Sequence, residues 1–201
     1  MNHSVKHAIK HAVFLGLLLL APLAGCESSP TRPSFPDIRF TEEPALRLDV
    51  ADIIIEDDFQ ATFHAPNVEH LFPIPPEHAM ANWARDRLLA TGTMRRARVR
   101  IVDASVKEIQ LPRTKGLTGA FTTDQAQRYD ATVEMSIDLL NNSGFAERTI
   151  SAKAARSQSV AEGITPNQRD EAWYAMTKDL MAELDRELER QMRANFTFYI
   201  Q

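Results

Sequence analysis

Residues 128–139 alternate without a break. Tyr129, Ala131, Val133, Met135, Ile137 and Leu139 fall on one side, and Arg128, Asp130, Thr132, Glu134, Ser136 and Asp138 on the other. Successive side chains of a strand point to opposite faces, so this segment has one face on a core and one in water. That pattern belongs to an antiparallel sheet, and a sheet with one apolar face needs a second layer to cover it. The stretch "NNSG" reads as a turn. Beyond it, a strand at about 145–160 carries Ile150, Ala152 and Ala154 on one face. Its small side chains leave room for a closely packed helix.

The last element supplies that helix. Thr165 is placed as an N-cap, Pro166 fits the first helical position, and Gln168 completes a capping box. Trp173, Met176, Leu180, Leu184, Leu188 and Met192 form the apolar stripe. About 30 residues at 1.5 Å each give a helix of about 45 Å. Upstream, "ALRLDVADIII" sets Leu46, Leu48 and Val50 against Arg47, Asp49 and Ala51, then runs into Ile53–Ile55, which predicts one strand. The proline-rich loop "HAPNVEHLFPIPPEH" leads into a helix over 76–91, opened by Pro76 and stopped by Gly92. Ala79, Met80, Trp83, Ala84 and Leu88 form its buried face. "RRARVRIVDASVKEIQL" alternates again, with a bulge or bend at Asp103–Ser105. The order β-α-β-β-β-α predicts an α+β two-layer sandwich: an antiparallel four-stranded sheet with two helices on one face, in a single domain spanning 45–201.

The first 25 residues differ in kind. Lys6 and Lys10 precede the apolar run "AVFLGLLLLAPLAG", and the small residues Ala24 and Gly25 precede Cys26, the only cysteine. A basic, then apolar, then small layout is that of a secretory signal peptide, and the run is short for a bilayer span. An uncleaved membrane anchor is the alternative. Leu23-Ala24-Gly25-Cys26 resembles the lipobox of bacterial lipoproteins. The resemblance implies a diacylglycerol on the Cys26 sulfur, cleavage before Cys26, and an acyl chain on the new amino group. It also implies outer-membrane sorting, because Glu27-Ser28 stands where an aspartate favours inner-membrane retention. Residues 26–44, with Pro30, Pro33, Pro36 and Pro44, read as an extended tether. "DIRF" at 37–40 is the part suited to lying along the domain.

Of the 23 basic residues, Lys6 and Lys10 lie in the leader, which leaves 21 against 27 acidic ones. That balance argues against nonspecific nucleic-acid binding. The stretches at His70–Glu77, Leu111–Asp130 and Thr177–Glu189 resemble uncharacterised proteobacterial lipoproteins, and the element order alone resembles small outer-membrane lipoproteins of Gram-negative bacteria. Among these are the lipopolysaccharide-assembly lipoprotein and the auxiliary lipoproteins of ABC-type transport systems. The resemblance implies a non-enzymatic accessory or assembly role with an envelope protein partner, and no cofactor beyond the lipid on Cys26.

Chemical motifs are sparse. His64, His70 and His78 share a window with Glu69 and Glu77, but their spacing matches no zinc signature. No GxSxG, HExxH or phosphate-binding glycine loop is present. The loop "PRTKGLTGAFTTDQ" offers Arg113, Lys115, Leu117 and Phe121 as candidate partner-binding residues, with Phe121 folding back onto the core as the alternative. Arg95, Arg96, Arg98 and Arg100 suit either anionic lipid or pairing with Asp130, Glu134 and Asp138 on the next strand. The tail "FTFYIQ" suits packing against the domain or an edge strand. Two functions follow: an accessory lipoprotein that holds a partner, or a structural lipoprotein or lipid carrier. A carrier needs an open groove lined by Met135, Met176 and Leu180.

Overall fold

The computed structural model describes residues 33–112 and 125–200. The packed body begins at Pro33. Residues 33–44 lie along the first helix, where Ile38 is buried and Asn82 donates to the Asp37 carboxylate and the Ile38 carbonyl. Arg39 ion-pairs with Asp86.

The chain then forms β1 (Leu46–Leu48), β2 (Ile53–Asp57), a 3₁₀ turn (Glu69–Leu71), α1 (Pro76–Arg87), β3 (Leu88–Ala90), β4 (Arg96–Asp103), β5 (Val106–Gln110), β6 (Gln125–Leu140), β7 (Ala146–Ala161) and α2 (Pro166–Asn195). The strand expected at 45–55 is two strands. A tight turn at Asp49, closed by Val50 N–H donating to the Leu48 carbonyl at 2.8 Å, sends the halves to different sheets.

The main sheet is mixed, which corrects the expected four antiparallel strands. β6 is its spine. β4 and β5 lie end to end along one of its edges, and β7 runs along the other, all three antiparallel to it. β2 pairs with β4 in parallel, Ile53 opposite Ala97. The helix α1 lies between them in sequence and returns the chain to its starting end, so parallel pairing follows from the connection. A second, two-stranded parallel sheet joins β1 and β3, Leu46 opposite Leu88. The expected bend is real: the register shifts between Ile101 and Asp103, and Ser105 N–H donates to the Asp103 carboxylate at 2.9 Å.

The helix expected over 76–91 ends at Arg87, because Leu88–Ala90 is drawn out as β3 to meet β1. Gly92 is therefore no helix stop. Its amide donates to the Val50 carbonyl at 2.9 Å, and a Cβ there would stand 2.3 Å from Asp49 Oδ1 and 2.7 Å from the Asp49 carbonyl carbon. The close approach of two backbones explains the glycine.

α2 matches its sequence. Thr165 accepts from the Gln168 amide, and the Gln168 side chain accepts from Thr165 N–H. All six stripe residues are buried. The helices meet through Arg87, whose side chain is 2% exposed and reaches Asp185 at 3.0 Å and Glu189 at 2.8 Å. It also donates to the Pro44 carbonyl, and Trp83 Nε1–H donates to Asp185. At the start of α2, Trp173 stacks on Phe72 at 4.7 Å and meets Tyr129 edge-on at 5.3 Å. Burial raises the Tyr129 hydroxyl to about 12. Met135, Met176 and Leu180 are fully buried in this core. Among the described residues, no helix is long and apolar enough to cross a membrane.

Candidate functional site

Cys26, Arg113, Lys115, Leu117 and Phe121 lie outside the described residues. The arginine row is on the page, and most of it is paired. Arg98 sits 2.8 Å from Asp138 and 3.9 Å from Glu56, and Arg100 sits 3.4 Å from Asp138 and 3.6 Å from Asp58. Of the three acids expected to answer the row, only Asp138 does so. Asp130 pairs with Arg128, and Glu134 with Lys153. The other partners come from β2 and the loop after it, because β2 occupies the free side of β4. Burial pushes the Asp138 carboxyl upward, but the hydrogen bonds from Thr149 and Arg98 and the charges of Arg100 and Arg98 outweigh it and hold Asp138 below the usual range.

The histidines are tied individually: His78 to Asp37 at 3.2 Å, and His70 to the ring of Phe63 at 5.2 Å. Among the described residues, no three His, Cys, Asp or Glu side chains group closely enough to hold a metal ion. Glu77, in the first turn of α1, is raised to about 7. A hydrogen bond with Asp57 at the end of β2 is the main cause, followed by burial and the charges of Asp57 and Glu69.

The concave feature with the most varied chemistry lies where the start of β4 meets the β6–β7 turn. Asn141 closes that turn. Its N–H donates to the Phe145 carbonyl at 2.9 Å, its carbonyl accepts from Gly144 at 2.9 Å, and its side-chain oxygen accepts from Ser143 and Phe145 at 3.0 Å each. Gly144 has φ +84, which a left-handed turn position requires. Opposite, Arg95 also has positive φ, +66, and its N–H donates to Asn142 Oδ1 at 3.1 Å. Its guanidinium is held by Glu147 at 3.1 Å and lies 5.1 Å over the ring of Tyr199.

Between these walls is a cleft of about 490 Å³, lined by Thr93, Met94, Arg96, Leu140, Asn142 and Ser143 among others. The same end of the molecule carries three exposed apolar side chains, Met94 (54%), Phe145 (72%) and Phe198 (89%). The tail is fastened there: Phe196 is buried, Asp49 N–H donates to the Tyr199 carbonyl at 2.7 Å, and Ile200 bridges to Leu48. The packed alternative for "FTFYIQ" therefore holds. "NNSG" revealed a turn, but the partnership of that turn with residues 93–96 is non-local. It depends on the pairing of Arg96 with Leu140, which no short stretch announces.

No protein-family model matches the sequence, and no curated protein matches it. Among solved structures, a crystal structure of a Xanthomonas campestris protein of the DUF330 family aligns at 11% identity, covering 78% of this chain and 93% of that chain, with a TM-score of 0.31. Likeness at that level carries no argument about what this chain does.

Proposed function

We propose that this chain is a lipid-anchored accessory protein of the cell envelope, held at the outer membrane through Cys26, and that it acts by holding a partner protein rather than by catalysis. One observation carries the reading: an exposed apolar tip lies past the end of α2, away from where Phe35 packs nearer its start. Phe35 rests 5.1 Å from Tyr174, in the first turns of α2, so the chain enters the body there. Phe145, Met94 and Phe198 lie beyond the last turn of that helix, whose 30 residues span about 45 Å. Exposed aromatics in a fixed backbone are the usual anchors of a protein interface. The lipid-carrier alternative loses its support, because Met135, Met176 and Leu180 are buried and leave no open groove between them.

The test has two parts. Cys26→Ala abolishes incorporation of labelled palmitate and leaves the leader uncleaved, read as a larger product on a denaturing gel. In-cell crosslinking of the tagged wild type recovers an envelope protein that Phe145→Ser/Phe198→Ser does not. Both side chains are exposed, so the double variant melts within about 0.5 kcal/mol of wild type in stability. Equal recovery by both proteins refutes the tip as the contact.

A further inference from the structure

We infer that the cleft between residues 93–96 and the turn at 141–144 is a binding site for a phosphate ester, with the ester's apolar part resting on Met94 and Leu140. This site is a property of the domain, stands apart from the anchor, and shares Met94 with the apolar tip.

Unused hydrogen-bond donors carry the inference. Asn142 accepts the Arg95 N–H through Oδ1, which fixes the orientation of its amide and leaves Nδ2 without a partner among the described residues. The hydroxyls of Thr93 and Ser143 form no hydrogen bond with the described residues. Arg96 is the least engaged cation of its row: its side chain is 55% exposed, and its one ion pair, to Asp52, is long at 3.6 Å. Two of the nearby acids are already occupied, while Asp49 adds its charge beside Arg95. Glu147 takes Arg95 at 3.1 Å, and Asp52 takes the Ile53 N–H at 2.9 Å. The cleft is therefore rich in donors and short of free acceptors, a setting for an oxyanion.

Geometry narrows the class. The donors come from both walls, Thr93 and Arg96 on one and Asn142 and Ser143 on the other. That spread suits a tetrahedral group with three terminal oxygens better than a planar carboxylate. A volume of about 490 Å³ is that of a small-ligand site, far larger than a bare phosphate needs. Ala51, Met94 and Leu140 supply an apolar floor for the remainder of an ester. The strained Arg95 and the closed Asn141 turn fix the walls before any ligand arrives, which lowers the ordering cost of binding.

Isothermal titration of the detergent-solubilised wild-type protein tests this. The probes are glycerol 3-phosphate, dihexanoyl phosphatidic acid below its micelle concentration, and inorganic phosphate. Both esters bind saturably, and inorganic phosphate binds at least about tenfold more weakly. Arg96→Gln and Asn142→Asp each weaken ester binding about tenfold or more at an unchanged Tm. Asn142→Asp keeps the acceptor for Arg95 N–H while replacing the free donor with a negative oxygen. Tighter binding of phosphatidic acid than of glycerol 3-phosphate identifies a membrane lipid as the source, and equal binding identifies a soluble ester. No saturable binding of either ester, ester binding unchanged in both variants, or equal affinity for inorganic phosphate overturns the assignment.

Discussion

At the scale of single residues, two positions carry consequences out of proportion to their size. Gly92 lies where two backbones meet, and a Cβ would stand 2.8 Å from Val50 N. The Asp49 carboxylate can turn aside, but the Asp49 carbonyl carbon and Val50 N are main-chain atoms that cannot. Gly92→Ala lowers stability by about 1–3 kcal/mol, read by chemical denaturation, chiefly through forced separation of these strands. Glu77 titrates near 7 because Asp57 and Glu69 face it. Its folded value lies above the ordinary glutamate value, so the folded state binds the extra proton. Stability therefore falls as pH rises from the ordinary value toward 7 and changes no further above it. Glu77→Gln keeps a neutral donor opposite Asp57. Relative to wild type it raises Tm at pH 8 and not at pH 4, and an equal shift at both values refutes the shared proton.

At the scale of elements, Asp138 shows how the wet face of the sheet is held. Its side chain is 3% exposed, though it belongs to the polar side of β6, because Arg98, Arg100 and Thr149 close over it. Asp138→Ala leaves two arginines without their shared acid and costs about 3 kcal/mol in a denaturant titration. The depressed pKa has the opposite linkage to that of Glu77. The contribution of Asp138 is present above the ordinary aspartate value and is lost as pH falls through its lower folded value. These elements also show what the sequence made legible. The period-two run of β6, the alanines of β7 and the cap and stripe of α2 are local signals, and each matches the structure. The direction of β2, the departure of β1 and the end of α1 at Arg87 were not readable. Each is set by a partner remote in sequence: β4 for β2, β3 for β1, and β1 for the residues that follow Arg87. The cleft escaped for the same reason. Its turn was legible, but the opposite wall arrives through the pairing of β4 with β6.

At the scale of the whole molecule, the sheet, the two helices and the fastened tail divide the body into two ends. One end receives the tether beside Tyr174, and the other presents Met94, Phe145, Phe198 and the cleft. From Tyr174 to the end of α2 at Asn195 is about 32 Å, so a substitution at one end leaves the packing of the other intact. On the proposed accessory role, the detergent-solubilised wild-type protein still captures a partner from an envelope extract. Loss of capture on solubilisation ties recognition to the membrane itself.

The bridge between Leu48 and Ile200 bears on how such a body is made. β1 lies between β3 and the tail, so one side of the first strand stays unpaired until residue 200 has been delivered. A chain threaded through a membrane from its N-terminus holds that edge open throughout passage. Closure comes only after release on the far side. A product clipped before Phe196 would lack both the buried aromatic and the bridging strand, and would offer proteases an open seam. The last stretch thus closes the open side of β1 only once the rest of the chain is in place.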